Sequence, residues 1–188
     1  MFVKLDFDRV YQVDVEKGNE GEGFFYTVLR SGRKKRIKVQ INDRPHELLD
    51  NVYNLAFGPV DRKERIKDME SLKHADYSMV FSTILNFAGW YLMQHPDRSV
   101  GLDGSTNSRA YYYFRMIKQN YDYLSKRFDM YGIKYYVRIK RKGTGLYEAP
   151  FDFRDIQSSA YKLLIDEIEK NRELETMFNY FTFEKIHK

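Results

Sequence analysis

Cysteine is absent from this sequence of 188 residues, and histidine is rare, with four scattered copies. A chain without cysteine has no disulfides, no thiolate nucleophile and no sulfur ligands for zinc. The histidines match none of the spacings that hold a metal on a helix, and no serine stands in the Gly-x-Ser-x-Gly turn of many hydrolases. We therefore predict no metal site, no cofactor and no catalytic residues, and a binding protein rather than an enzyme.

Long hydrophobic runs are also missing. No window of about 18 residues is continuously apolar, so no transmembrane helix is predicted. The first residues alternate charged with apolar side chains instead of forming the apolar part of a signal peptide. With 43% hydrophobic and 31% charged residues, the composition is that of an ordinary globular protein. These features predict a cytoplasmic protein that does not interact with membranes.

The chain is instead rich in basic and aromatic residues. Its net charge is +5, its pI is near 9.1, and it contains 16 tyrosines and 14 phenylalanines. Positive charge favours an acidic partner such as nucleic acid, and neighbouring aromatic rings, among them Phe25 and Tyr26, can stack on its bases. The predicted nucleic-acid-binding residues form two clusters, Arg33, Lys34, Lys35, Arg36 and Lys38 in the first and Arg138, Lys140 and Arg141 in the second.

Alternation of apolar and polar residues indicates strands, and a spacing of three to four indicates helices. The N-terminal part alternates and has short turns, which predicts an antiparallel meander. The clearest helical period covers 76–93, with Asp76 as its N-cap. Predicted strands cover 2–15, 24–29, 33–41, 51–57, 99–103 and 135–139, and further helices run from near Ser108 to about Asp129 and over 155–170.

Strands followed by a mixture of helices and strands predict the α+β class, with an antiparallel sheet packed by two or three long helices. We expect a single domain over residues 1–188. It would consist of N-terminal strands in 1–60, a helix–strand–helix core in 75–170 and a C-terminal tail, 171–188, which docks through its apolar residues.

A polar turn joins the strand at 99–103 to the next helix. Gly104 accommodates dihedral angles that other residues avoid, and Ser105 and Thr106 are suitable N-caps. Arg109 falls in the first helical turn, where the helix dipole favours an acid. Backbone N–H groups, hydroxyls and the guanidinium together suit a phosphate, so we predict a phosphate site at Gly104, Ser105, Thr106 and Arg109. The alternative is an ordinary helix cap in which the arginine pairs with a nearby carboxylate.

Two short motifs resemble those of a family of small bacterial proteins of unknown function. The first is Asn54-Leu55-Ala56-Phe57-Gly58, and the second is Gly104-Ser105-Thr106 followed by Arg109 and Tyr112. The resemblance covers about residues 50–140. In that family a further basic residue usually lies between the arginine and the tyrosine, where this chain has Ala110 and Tyr111. The resemblance implies positions to test but no activity.

The leading hypothesis is a non-enzymatic nucleic-acid-binding protein, with a single strand as its partner. The basic strands would follow the backbone while the turn at 104–109 holds one phosphate. An enzyme or binder that acts on a nucleotide or another phosphorylated small molecule is the first alternative. A homodimeric interaction module, formed through Tyr111–Tyr113 and the aromatic tail, is the second. The basic clusters also fit a solvated face that protects strand edges.

Overall fold

An eight-stranded, mostly antiparallel sheet forms the centre of the protein, so the predicted α+β class is confirmed. The computed structural model describes residues 3–67, 70–104, 106–137, 141–142, 146–147, 156–164 and 178–186. Its strands are β1 (Asp14–Glu16), β2 (Asn19–Val28), β3 (Lys34–Pro45), β4 (Val52–Gly58), β5 (Ser99–Asp103), β6 (Phe128–Val137), β7 (Arg141–Lys142), β8 (Leu146–Tyr147), β9 (Ile156–Lys162) and β10 (Tyr180–Lys185). Its helices are α1 (Tyr77–Gln94), α2 (Asn107–Gln119) and α3 (Tyr121–Leu124).

The strands of the large sheet lie in the order β1-β2-β3-β4-β5-β10-β6-β9, and β7 pairs with β8 separately. Within the described strands, β4 and β5 are the one parallel pair, with Val52 opposite Ser99. The chain between them passes through α1. The carboxyl ends of β4 and β5, at Gly58 and Asp103, therefore lie at the same edge of the sheet.

The N-terminal meander contains β2, β3 and β4 as predicted, but the strand expected over 2–15 is reduced to Asp14–Glu16. The residues before it run along α1 instead, and hydroxyl groups of that helix replace a neighbouring strand as acceptors. Backbone N–H groups donate to them in three pairs, Lys4 to Ser78, Asp6 to Ser82 and Tyr11 to Thr83.

The helix α1 covers one face of the sheet. Its N-cap is Asp76, as the sequence predicts, and the Asp76 carboxylate accepts a hydrogen bond of 2.9 Å from the Met79 N–H. Its buried side chains, such as Ile84 and Leu85, share one core with Phe25 and Val39 of the meander. Neither α1 nor another helix in the described part of the chain combines the length and the apolar character needed to cross a membrane.

The C-terminal segment contributes an internal strand. The strand β10 lies between β5 and β6, and Phe181 is paired with Leu102 on one side and with Gly132 on the other. Phe181 and Phe183 are fully buried in the core. The end of the predicted tail is therefore part of the sheet itself, whereas residues 171–177 lie outside the described residues.

One predicted helix is wrong over the part that the structure describes. The helix expected at 155–170 is strand β9 over Ile156–Lys162, antiparallel to β6. Ser158 and Ser159 are weak helix formers, and hydrogen bonding to β6 outweighs the helical spacing of the apolar residues. Residues 165–170 lie outside the described residues. Instead of two or three long helices, the described residues contain α1 of 18 residues, α2 of 13 and α3 of four.

The helix after β5 also ends earlier than the sequence predicts, because Asn120 interrupts it before the short α3. The buried Asn120 amide accepts a hydrogen bond from the Leu5 N–H and donates to the carbonyl oxygens of Val3 and Met116, each at 2.8 Å. These bonds hold the N-terminal segment against the end of α2. Phe128, predicted as part of the helix, is the first residue of β6.

Candidate functional site

A cavity of about 590 Å³ opens at the edge of the sheet where β4 and β5 end. The last residues of both strands line it, together with the beginnings of α1 and α2 and the segment before α1. Ligands of sheets with parallel strands commonly bind outside the carboxyl ends of those strands, and the volume is typical of a small-molecule site. This cavity is the candidate site.

Both sequence motifs line the cavity. Every residue of Asn54–Gly58 contributes from β4, and Thr106, Arg109 and Tyr112 contribute from the beginning of α2. The two motifs meet because β4 and β5 are parallel neighbours and α2 follows β5 directly. Two segments that are distant in the sequence thus form one site.

The N-terminus of α2 gives the cavity a cationic end. Thr106 is the N-cap, and its hydroxyl accepts a hydrogen bond of 3.3 Å from the Arg109 N–H. The first turn contains no acidic residue, so the helix dipole and the Arg109 guanidinium contribute positive potential together. Thr106, Ser108 and Arg109 all line the cavity, and this end is therefore suited to an anion.

Gly104 has a different role from the predicted one. Its φ is not positive, and its N–H donates a hydrogen bond of 2.8 Å to the carbonyl oxygen of Asn179, so it is not available to a phosphate. A Cβ atom at Gly104 would lie 2.5 Å from the Cα of Ala110. Glycine is needed here because the chain passes close to α2. Ser105, also predicted to bind phosphate, lies outside the described residues.

Aromatic rings form the inner wall of the cavity. The Phe81 ring centroid lies 5.8 Å from that of Phe57, 5.6 Å from that of Tyr112 and 6.3 Å from that of Tyr113. The rings meet edge-on or tilted, which are the favoured geometries of aromatic pairs. Phe81 and Tyr113 are buried, so the half-buried rings of Phe57 and Tyr112 are the ones that can contact a flat, apolar group.

Two neutral polar side chains complete the interior. Among the described residues the buried Tyr112 hydroxyl has no hydrogen-bond partner, and burial raises the pKa of Tyr112 to about 12, so it stays protonated at neutral pH. Burial lowers the pKa of His74, whose Nδ1 lies 3.1 Å from the Thr27 hydroxyl. Buried polar groups without a partner are uncommon. The Tyr112 hydroxyl therefore marks a place where an acceptor atom of a ligand would be stabilised.

Two carboxylates, Asp103 and Glu70, also line the cavity. A carboxylate accepts hydrogen bonds from the hydroxyl or amino groups of a ligand. Within the described residues, no three His, Asp or Glu side chains lie close enough together to hold a metal ion. The chemistry that the cavity offers is thus hydrogen bonding, charge and ring stacking.

The first basic cluster lies outside this cavity, and two of its members are engaged within the protein. Lys38 is only 8% exposed, and its Nζ lies 2.7 Å from a carboxylate oxygen of Glu22. Arg36 lies 3.1 Å from Glu64 and stacks on the ring of Phe24 at 3.7 Å. These contacts neutralise part of the charge that the sequence places on β3.

The remaining members lie beside an exposed ring. Arg33 and Lys34 are exposed, and Lys35 is half-buried. The neighbouring ring of Tyr26 on β2 is 56% exposed. Phe25 is completely buried and cannot stack on a base. In the second cluster, Arg138 and Lys140 lie outside the described residues, and only the backbone of Arg141 is described.

The residues of the predicted dimer surface belong mostly to the interior. Tyr113 is buried, Tyr112 lines the cavity, and Tyr111 is 40% exposed. In the tail, Tyr180, Phe181 and Phe183 are buried. Apart from Tyr111, the described aromatic residues of this predicted surface therefore belong to the core or the cavity wall.

Sequence reasoning found the turn and the motif on β4 but missed His74, Tyr77 and Phe81 as site residues. Tyr77 and Phe81 belong to the apolar stripe of α1, which predicts a core position and gives no sign of a cavity. His74 lies in a charged segment without a clear pattern. The one available signal was their position near the beginning of a helix that follows β4.

Comparison with known proteins gives one match. A model for a "Family of unknown function (DUF6934)" matches residues 9–149. No curated protein and no solved structure matches the chain. The matched range contains both motifs and all the described residues that line the cavity.

Proposed function

The chain belongs to this family of unknown function, and we propose that it binds a phosphorylated small molecule with a flat ring system, such as a nucleotide. The observation that carries the proposal is the convergence of both motifs on one cavity with a cationic end and an aromatic wall. The proposal is one of binding, because the described lining residues offer hydrogen bonding, charge and aromatic rings.

The two ends of the cavity suit the two ends of a nucleotide. The Arg109 guanidinium and the first turn of α2 favour a phosphate, since charged donors and helix dipole act together. The rings around Phe81 favour the base, which stacks on aromatic side chains. The carboxylates of Asp103 and Glu70 provide acceptors for the hydroxyl groups of a sugar.

The test compares AMP, GMP, adenosine and inorganic phosphate as ligands of the protein and of Tyr112→Phe by calorimetry and thermal melts. We expect each nucleotide to bind at least tenfold more tightly than adenosine or phosphate alone. Tyr112→Phe should bind nucleotides roughly tenfold more weakly, the equivalent of one hydrogen bond. Its melting temperature without ligand should stay the same or rise, because the substitution removes a buried hydroxyl without a partner.

A matched control is Tyr26→Phe, which removes the hydroxyl of an exposed residue that does not line the cavity, and we expect it to change neither the nucleotide affinity nor the melting temperature. Equal binding of adenosine and AMP, or absence of binding at millimolar nucleotide, would contradict the proposal. So would a Tyr112→Phe variant that loses stability while its nucleotide affinity is unchanged.

A second candidate function, binding of single-stranded nucleic acid, is favoured by the surface of β2 and β3. The exposed ring of Tyr26 lies opposite Arg36 in the strand register, and the exposed Arg33 and Lys34 lie at the beginning of β3. A ring beside cations is the usual composition of a single-strand site.

Replacing Arg33, Lys34 and Lys35 by alanine should lower the salt dependence of oligothymidylate binding. The slope of log K against log salt should fall by roughly two, since each phosphate contact on a single strand contributes about 0.7. Fluorescence anisotropy at several salt concentrations measures it. The control is a variant with the same loss of charge at other exposed positions, in which alanine replaces Lys17, Arg62 and Lys63. If the parent protein does not bind at low salt, this candidate is wrong.

A further inference from the structure

A second groove, of about 610 Å³, lies between the last turns of α1 and the strands β6 and β10. It shares no lining residue with the candidate site. One wall is apolar and comes from α1, where Met93 is 58% exposed and the indole of Trp90 is partly exposed. Phe7 and Phe128 continue this apolar surface from the other side. The apolar wall is open to solvent mainly at Met93 and Trp90.

The opposite rim of the groove is cationic. Lys126 and Arg127 are exposed just before β6, and Lys185, at the end of β10, is paired in register with the first residue of β6. Among the described residues none of these three cations forms an ion pair, and no carboxylate lines the groove. Three cations thus face one apolar wall, and no carboxylate of the described lining compensates their charge.

The position of Arg127 is fixed by rings of the protein itself. Its guanidinium carbon lies 4.1 Å from the centroid of Tyr123 and 5.1 Å from that of Phe7, and it donates a hydrogen bond of 3.2 Å to the Tyr123 carbonyl oxygen. A stacked guanidinium loses less side-chain entropy when it binds a carboxylate. The Arg127 guanidinium is therefore already held in one position when an anionic partner binds.

We propose that this groove docks an acidic peptide segment of a partner protein. A bulky apolar side chain of the segment would lie between Trp90 and Met93, and its Asp and Glu side chains would pair with Lys126, Arg127 and Lys185. The separation of an apolar wall from a cationic rim fits a segment that is apolar on one side and acidic on the other. Charge complementarity selects this occupant over a basic or neutral peptide.

Trp90 is the single tryptophan of the chain, so its fluorescence reports on the groove directly. The probe is a synthetic peptide in which Leu and Phe are spaced among Asp and Glu residues, and the comparison is the same peptide with Lys in place of the acids. We expect the acidic peptide to change the Trp90 emission and the basic peptide to leave it unchanged. The Lys126→Glu/Lys185→Glu variant should bind the acidic peptide at least tenfold more weakly, and Met93→Glu likewise.

The matched control is Lys17→Glu/Lys63→Glu, which makes the same charge change at exposed positions away from the groove and should bind as the parent does. Equal weakening in this control would mean that only net charge matters, and would overturn the proposal. So would an unchanged Trp90 emission, or a stronger response to oligothymidylate or decanoate than to the acidic peptide. Nucleotide binding at the candidate site is a separate measurement, and its result does not affect the proposal for the groove.

Discussion

Replacing Gly101 by alanine should lower the free energy of unfolding by about 3 kcal/mol or more, at the upper end of what an overpacked core costs. The reason is the close passage of Tyr180 over β5. A Cβ atom at Gly101 would overlap the hydroxyl and the ring of Tyr180, which is only 2% exposed and cannot move into solvent. The same hydroxyl donates a hydrogen bond of 3.2 Å to Asn54 Oδ1.

Urea unfolding of Gly101→Ala, Tyr180→Leu and the double variant measures the effect. If the overlap is the cause, the double variant should be much less destabilised than the sum of the two single variants. A loss below about 1 kcal/mol in Gly101→Ala would show that the sheet adapts easily. Because Tyr180 binds Asn54, a residue of the cavity motif, Gly101→Ala should also weaken nucleotide binding.

Replacing Arg109 by glutamine should weaken nucleotide binding by roughly 10- to 100-fold, since a hydrogen bond to a charged group contributes about 1.5–3 kcal/mol. Adenosine, which lacks the phosphate, should bind equally to both proteins. Stability should change by less than about 1 kcal/mol, because Arg109 is only half-buried and Asp103 is exposed. A buried pair between them would instead cost about 3–5 kcal/mol on removal of the arginine.

Calorimetry with AMP and a urea melt of the same sample separate these outcomes. The control is Arg115→Gln, an exposed arginine on the same helix that does not line the cavity. A large loss of stability with unchanged AMP affinity would make Arg109 a structural residue. The phosphate end of the proposed site would then be wrong.

Sequence patterns predict well those elements whose burial follows from local periodicity. The strand β5 has the predicted bounds, and α1 agrees with the prediction to within a residue, including its Asp76 cap. The apolar stripe of α1 packs into one core, and β5 is buried on both faces from Ser99 to Leu102. The segment Ile156–Lys162 is different, because its apolar spacing fits a helix but its backbone pairs with β6. Pairing with a distant strand leaves no signature in a local window.

In the candidate site, too, the local features could be predicted from the sequence and the long-range contacts could not. Thr106 and Arg109 could be predicted because the N-terminus of a helix, and an arginine in its first turn, are recognised from neighbouring residues alone. That Asn54–Gly58 lies beside them could not be predicted, because it depends on β4 and β5 being parallel. The dihedral freedom expected of Gly104 is not what the fold uses. Its conformation is ordinary, and the contact that requires glycine is made with the helix that follows.

The place of β10 between β5 and β6 has a consequence during protein synthesis. Residues 180–185 are translated after every other strand of the sheet, yet they join its two halves. Until they leave the ribosome, β5 and β6 each have an unpaired edge that can add a strand from another nascent chain. The sheet is therefore completed only after residue 185 has left the ribosome, and until then a chaperone that covers strand edges would protect β5 and β6 from wrong pairing.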